Sequence, residues 1–217
     1  MLVVYTVVFG AYDPLRPPLK VLSKKARYVC LSDKKYDVEP WESRIVEIEE
    51  SNPRLQALRC KTLSHFYFPE AESSLFLAGS VQLQTSAAML AYRYLRGADI
   101  AAGEAWLDDC VYEFAARLID PARKVQKWPA EPIARLVAKL REDQFPEHFG
   151  RPRLGALIRR HSDEIAQFNE LWWSLIQEYS AQDQLSFPYA SWKLDLRWNS
   201  ISRELWTRYF VAHPHEG

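Results

Sequence analysis

The chain has 217 residues, with 28 basic and 28 acidic side chains and a formal net charge of zero. Hydrophobic residues make up 48% and charged residues 26%, proportions that exclude a disordered or fibrous chain. Nucleic-acid-binding proteins usually carry a basic excess, so the balance predicts no nucleic-acid partner. The length suits one domain, and we expect residues 1–217 to form a single unit.

No apolar run approaches the ~18 residues that a membrane span needs, so no transmembrane segment is predicted. Residues 2–9 have no basic region before them and no cleavage site after them, and we interpret them as a strand and not a signal peptide. The cysteines, Cys30, Cys60 and Cys110, are far apart and odd in number. This pattern favours reduced thiols in a cytoplasmic protein.

Strands and helices are predicted to alternate along the chain. Residues 2–9 (LVVYTVVF) are continuously apolar, which is typical of a strand buried on both faces of a parallel or mixed sheet. Pro53 favours the first turn of a helix. The predicted strands lie at 2–9, 27–31, 44–48, 75–77, 100–102 and 154–158, and residues 81 and 83 extend the fourth of them. The predicted helices lie at 53–66, 85–95, 108–119, 163–179 and 183–193, with further helical pieces within 122–149. The last helix is predicted to be interrupted near Pro188. This alternation predicts an α/β fold.

Common catalytic and binding signatures are absent. The sequence contains no G-x-x-x-x-G-K-[ST], G-x-G-x-x-G, G-x-S-x-G, H-E-x-x-H or C-x-x-C pattern. Their absence disfavours P-loop NTPases, Rossmann dehydrogenases, common α/β-hydrolases, zincins and structural zinc sites.

Polar groups follow several predicted strands, where ligands of α/β proteins bind. Asp33 follows the second strand and is a candidate for recognition of a ribose or base. Lys61, Arg159 and Arg160 are candidate cations for a diphosphate. The alternatives are a turn residue for Asp33, a solvated strand end for the arginines and a structural role for His161.

Six short segments occur in an order that is similar to one known family. They are YTVVFGAYD at 5–13, K-x-x-x-H-x-Y-F-P at 61–69, DCVYE at 109–113, RRH at 159–161, WW at 172–173 and DQLSF at 183–187. The chain thereby resembles a glycosyltransferase-like family of formerly unknown function. The family includes bacterial capsule- and polysaccharide-associated members and plant mucilage- and turgor-related members.

The resemblance implies a fold and an activity. The fold would be a single three-layer α/β/α sandwich with a mixed, mainly parallel sheet, of the GT-A-like nucleotide-diphospho-sugar transferase kind. The activity would move a sugar from a nucleotide-diphosphate donor to a glycan or related hydroxyl acceptor. In such folds an acidic motif at a strand end usually holds Mn²⁺ or Mg²⁺ against the diphosphate.

The chain departs from the family pattern at charged positions. The acidic position falls within residues 76–80 (FLAGS), where Ala78 stands in place of aspartate. Asp108 and Gln182 stand where arginines are expected. Three interpretations follow: the metal and phosphates are held otherwise, the member is weak or inactive, or Ala78 replaces an aspartate of the natural chain.

Role assignments follow from the resemblance. Lys61 with Arg159 or Arg160 would contact the diphosphate, and Asp33 would contact the nucleotide. His161 would be a weak metal or phosphate ligand. Asp183 would be the general base for the acceptor hydroxyl, with a helix N-cap as its structural alternative.

Two other functions compete with sugar transfer. A non-catalytic relative would bind a glycan or a partner enzyme in polysaccharide assembly, peripheral to a membrane. A lipid amidase of the ceramidase kind would need a metal cluster or a nucleophile triad. His161, Asp183 and Ser186 could form such a triad, although no nucleophile elbow is present.

Overall fold

A computed structural model describes residues 1–10, 12–20, 23, 25–50, 52–122 and 128–214. Its strands are β1 (Leu2–Val8), β2 (Arg27–Ser32), β3 (Glu42–Ile45), β4 (Ser73–Leu77), β5 (Val81–Leu83), β6 (Ile100–Gly103), β7 (Arg153–Arg160), β8 (Trp198–Ile201) and β9 (Phe210–Ala212). Its helices are α1 (Pro53–Thr62), α2 (Ser64–Tyr67), α3 (Ala87–Tyr94), α4 (Val111–Leu118), α5 (Ala130–Glu142), α6 (Asp163–Glu178), α7 (Asp183–Lys193) and α8 (Arg203–Tyr209).

The main sheet has seven strands in the order β3-β2-β1-β4-β7-β6-β8. Strand β7 runs antiparallel to its neighbours β4 and β6, whereas the other adjacent pairs are parallel. Strands β5 and β9 form a separate antiparallel pair. The predicted α/β fold with a mixed, mainly parallel sheet is confirmed.

Strand β1 is buried on both faces, as its apolar sequence predicts. Val3 and Tyr5 belong to the hydrophobic cluster on one face of the sheet, and Val4 and Val8 belong to the cluster on the other. Successive side chains of a strand point to opposite faces, so a strand covered by helices on both sides is apolar at every position. Two hydrophobic layers therefore sandwich the sheet.

Helix α1 begins as the sequence predicts. The side chain of Asn52 accepts hydrogen bonds from the N–H groups of Arg54 at 2.8 Å and Leu55 at 3.2 Å. Pro53 occupies the first turn, where its missing N–H has no helical partner to lose. The predicted interruption at Pro188 is wrong, because α7 continues through this residue.

Several predicted elements differ from the structure, and two of these differences have a clear cause. The strand at 75–77 does not extend to residue 83, because the chain turns after Leu77 and β5 joins β9 instead. The helix predicted from residue 108 begins at Val111, because Asp108 accepts a hydrogen bond from Nε of Arg151 at 2.9 Å and stays outside it.

Candidate functional site

A cavity of about 870 Å³ opens where the carboxyl ends of β1 and β4 meet the amino end of β7. The antiparallel register pairs Leu77, the last residue of β4, with Ala156 near the start of β7. Helix α1 and the start of α7 form one side of the cavity, and Trp106 and Leu107 form another. Open α/β sheets bind their ligands at this edge.

Lys61 and Asp183 meet in the buried wall of this cavity. Nζ of Lys61 lies 2.5 Å from Oδ2 of Asp183, and each side chain is 10% exposed. Nζ also lies 5.0 Å from the centre of the Phe76 ring. Burial lowers the pKa of Lys61, and the Asp183 carboxylate opposes that shift. One cation and one carboxylate thus lie side by side at the sheet edge.

The N-cap alternative for Asp183 is wrong. Gln182 occupies the N-cap position of α7 and makes no side-chain capping bond, and Asp183 is the first helical residue. Its carboxylate lies within the cavity lining and pairs with Lys61. The side chain therefore lines the cavity and does not cap the helix.

The turn that follows β4 forms part of the cavity lining, through Ala78, Gly79 and Ser80. The N–H of Val81 donates to the carbonyl of Ala78 at 2.8 Å and closes the turn. A Cβ at Gly79 would lie 2.9 Å from Cβ of Asp13, so a larger residue at position 79 would displace that aspartate. Asp13, which is 8% exposed, also lines the cavity.

The residues around Ala78 do not fit the divalent ion that the family resemblance implies. Mn²⁺ and Mg²⁺ take several oxygen ligands. Of the described lining residues, only Asp13 and Asp183 are carboxylates, and Asp183 already pairs with Lys61. The side chain of Ala78 has no ligand atom. The lining is instead rich in cations, which suits an anionic ligand.

Three arginines complete this basic lining: Arg54, Arg151 and Arg153. The guanidinium of Arg153 lies 3.6 Å from the centre of the Trp106 ring. Nε of Arg151 donates to Asp108 at 2.9 Å. Sequence reasoning missed these arginines because it sought cations after strands. The available signal was Arg-Pro-Arg at 151–153, directly before an apolar strand.

Asp33 lies next to the cavity without lining it. Its Oδ2 accepts a hydrogen bond from the N–H of Gly10 at 2.8 Å, and Gly10 is a lining residue. Gly10 has a φ of +64°, a conformation that glycine adopts without steric cost. Oδ1 of Asp33 is buried and has no hydrogen-bond partner among the described residues. Asp33 thus holds the loop after β1 and keeps one unused acceptor.

The structure places Arg159, Arg160 and His161 away from the cavity, contrary to the expectation that they follow a strand toward the ligand. The register pairs Arg159 with Ser74 and Arg160 with Ser73, at the start of β4. Because β7 is antiparallel, its carboxyl end lies at the opposite edge of the sheet. The exposed guanidinium of Arg160 pairs with Asp99 at 2.7 Å.

Arg159 is fully buried and supports helix α1. Its guanidinium donates to the carbonyl of Lys61 at 2.5 Å, the carbonyl of Thr62 at 2.8 Å and Oη of Tyr5 at 2.7 Å. The last carbonyls of a helix have no partner within it, and a cation there satisfies them and the helix dipole. Arg159 therefore positions the helix that carries Lys61 instead of contacting a ligand.

The proposed hydrolytic triad does not assemble. Nε2 of His161 lies 3.0 Å from Oγ of Ser74, at the edge opposite the cavity. Ser186 is 1% exposed and donates weakly, at 3.4 Å, to the backbone carbonyl of Asp183. This arrangement contradicts the triad suggested for a lipid amidase.

Comparisons with known proteins agree with this architecture. Mouse xyloside xylosyltransferase 1, in its apo form, is similar with a TM-score of 0.50 and 10% identity, over 91% of this chain and 84% of that one. The apo bifunctional glycosyltransferase WbbM is similar with a TM-score of 0.48 and 9% identity, over 86% of this chain. This chain spans only 36% of the length of WbbM. At such identities a likeness concerns the fold alone, and the likeness to the xylosyltransferase confirms the expected GT-A-like sandwich.

Curated sequences and the composition of the helices were also considered. No curated protein sequence matches the chain. Among the described helices, none combines the length and apolar composition that a bilayer span requires.

Residues 31–210, most of the chain, match the family described as TOD1/MUCI70, glycosyltransferase-like domain. The chain belongs to the TOD1/MUCI70 glycosyltransferase-like family.

Proposed function

We propose that this protein is a glycosyltransferase that binds a nucleotide-diphosphate sugar in the cavity of about 870 Å³ and transfers the sugar to a hydroxyl of a glycan. The observation that carries this proposal is the buried Lys61–Asp183 pair beside the three guanidinium groups of the lining. A diphosphate needs cations and an acceptor hydroxyl needs a base, and this sheet edge offers both.

The donor would bind through charge and shape. Arg54, Lys61 and Arg153 would offset the charges of the diphosphate, and guanidinium groups suit the paired oxygens of phosphates. Asp33 would act indirectly, because it holds Gly10, a residue of the cavity lining, through the hydrogen bond to its N–H. Since the cations are built into the cavity lining, donor binding needs no divalent ion.

The groups in the cavity account for each bond and proton that changes during sugar transfer. The bond between the anomeric carbon and the diphosphate oxygen breaks, and its electron pair leaves with the diphosphate. The acceptor oxygen bonds to the anomeric carbon, and its proton passes to Asp183. Lys61 and the arginines stabilise the charge that develops on the leaving group.

The acceptor would lie in an adjoining groove of about 840 Å³, which shares Trp106, Leu107 and Arg151 with the donor cavity. Trp198 adds an aromatic face to this groove. Aromatic rings pack well against the apolar faces of sugar rings. A glycan therefore fits the groove, which supports a role in polysaccharide biosynthesis.

Thermal denaturation with a panel of nucleotides and nucleotide sugars, in buffer containing EDTA, tests the proposal. We expect at least one nucleotide-diphosphate sugar to raise the Tm, because a ligand at 100 times its Kd stabilises the folded state by about 2.7 kcal/mol. The same donor should transfer its sugar to a glycan acceptor under these conditions. If no donor raises the Tm, with or without Mn²⁺, the proposal is wrong.

The second candidate, a non-catalytic glycan- or partner-binding relative, is favoured by one observation, the alanine at position 78. Ala78→Asp distinguishes the two. A protein that has lost its metal site should gain Mn²⁺-dependent transfer in this variant while the unmodified chain stays inactive. Transfer by the unmodified chain in EDTA would instead support the metal-independent enzyme.

A further inference from the structure

We propose a second binding site, outside the donor cavity, in which Cys110, Glu113 and His148 hold a zinc ion. Sγ of Cys110, a carboxylate oxygen of Glu113 and a ring nitrogen of His148 all lie within 4.8 Å of one another. Thiolate, imidazole and carboxylate are ligands that zinc accepts together, and three of them leave a fourth position for water. A thiolate also disfavours Mg²⁺ and Ca²⁺.

Two of the ligands come from the start of helix α4. Cys110 is its N-cap residue, and Glu113 lies in the first turn, three residues later. Residues three apart on a helix are neighbours on one face, so the two side chains point the same way. Cys110 is 2% exposed, whereas Glu113 and His148 lie at the surface. The ion would have one buried anchor and direct access from solvent.

The third ligand comes from a segment that is fixed against α4 by other bonds. Oη of Tyr112 donates to the carbonyl of Phe145 at 2.7 Å. The N–H of Gly150 donates to the carbonyl of Asp109 at 3.2 Å. These bonds flank His148 on both sides along the chain. The segment that carries His148 is therefore held beside α4 without an ion.

Asp109 would position the imidazole. Its Oδ1 lies 2.7 Å from Nδ1 of His148. Histidines that bind metals usually engage their other ring nitrogen with a carboxylate, which sets the tautomer and the ring orientation. Coordination through Nε2 keeps this contact intact. No hydrogen bond or ion pair occupies the side chains of Cys110 and Glu113 within the described residues, so both remain available.

The zinc site lies outside the donor cavity and adjoins the proposed acceptor groove. Asp109 and His148 both line that groove. A bound ion would tie the start of α4 to the 145–150 segment and stiffen one wall of the groove. Because it has no contact with the donor cavity, the ion would act through this stiffening of the groove wall.

Titration of the chelator-treated protein with Co²⁺, followed by Zn²⁺, tests the site. We expect one Co²⁺ per chain, a sulfur-to-cobalt charge-transfer band in the near ultraviolet, and loss of the band when Zn²⁺ displaces Co²⁺. Cys110→Ser should abolish the band. No band in the unmodified protein, or a band that survives in Cys110→Ser, would overturn the proposal.

Matched variants locate the remaining ligands. His148→Ala and Glu113→Gln should each weaken Zn²⁺ binding more than 10-fold, whereas Glu147→Gln, a neighbouring carboxylate outside the cluster, should leave it unchanged. Asp109→Asn should keep the charge-transfer band and weaken binding by about 10- to 100-fold. Equal Zn²⁺ affinity in His148→Ala and Glu147→Gln would also overturn the proposal, and far-ultraviolet circular dichroism checks that each variant folds.

Discussion

The two ends of β7 carry similar arginines and use them differently. Arg153, at the start of the strand, lines the proposed donor cavity and stacks on Trp106. Arg159, near its end, is fully buried and holds the last carbonyls of α1. The direction of the strand decides this difference, because only its amino end lies beside the carboxyl ends of β1 and β4. A cation near a strand end is thus a ligand-binding candidate only if that end faces the site.

The largest effect is expected at the buried end. The guanidinium of Arg159 donates to four buried oxygen acceptors, of which the carbonyl of Lys61 also accepts from Oη of Tyr5. Arg159→Met would leave the other three without this donor, at about 1–3 kcal/mol each. We expect the free energy of unfolding, measured by urea denaturation, to fall by about 4 kcal/mol. The matched control is Arg160→Met, whose exposed ion pair should be worth less than about 1 kcal/mol. Equal losses in the two variants would contradict the role given to Arg159.

The pair that Arg159 supports comes next. Lys61→Met and Asp183→Asn should each lower the free energy of unfolding by about 3 kcal/mol, because each leaves a buried charge unpaired. The double variant should lose clearly less than the sum, since residues in contact are coupled by about 0.5–3 kcal/mol. Strictly additive losses in urea denaturation would show that the two side chains do not interact.

At the carboxyl end of β7, His161 should make the free energy of unfolding depend on pH. Burial lowers the pKa of His161 from 6.5 to about 4. Between these values the unfolded chain binds a proton that the folded chain does not, so this residue stabilises the fold above pH 6.5 and loses that contribution as the pH falls toward 4. The loss should reach about 2–3 kcal/mol.

The contribution of His161 is measured by comparing the unmodified protein with His161→Gln. Urea denaturation from pH 7 to pH 4 should show a steeper loss for the unmodified protein than for His161→Gln, which keeps a partner for Ser74. Parallel curves for the two proteins would mean that His161 titrates normally in the folded state.

The smallest change in free energy is expected for Arg153, at the end of β7 that faces the cavity. Arg153→Gln removes one charge from the donor cavity but no buried ion pair, so the Tm should change little. Binding of the nucleotide-diphosphate sugar identified by the Tm panel should weaken about 10-fold, equivalent to about 1.4 kcal/mol. Isothermal titration calorimetry measures the change, with Arg160→Gln as the control that should bind normally. A 10-fold loss in both variants would remove the distinction between the two ends of β7.

Several features of the candidate site could be predicted from the sequence. Lys61 and Asp183 come from segments that match the family in order, and the cavity lining contains both. Ala78 marked the missing acidic position, and the end of β4 indeed lies at the cavity. Their assigned roles remain predictions, but the family resemblance was enough to assign these residues to one candidate site.

Other features depended on strand direction and on distant partners. A run such as residues 153–160 has the same apolar pattern in either direction, so its antiparallel course could not be foreseen. The wrong placement of Arg159, Arg160 and His161, and the omission of Arg151 and Arg153, share this cause. The late start of α4 has a similar origin, because Arg151 holds Asp108 from 43 residues away along the chain.

The sequence by itself determined the α/β class, because hydrophobic periodicity and proline positions are local properties that set which segments become strands and helices. Tertiary structure alone decided which charges meet, because pairs such as Lys61 and Asp183 are 122 residues apart along the chain. It also decided that Cys110, Glu113 and His148 converge, although no short spacing in the sequence indicates a metal site. The net charge of zero gave no sign of a basic cavity, because this cavity forms only when β7 lies antiparallel to β4 and β6.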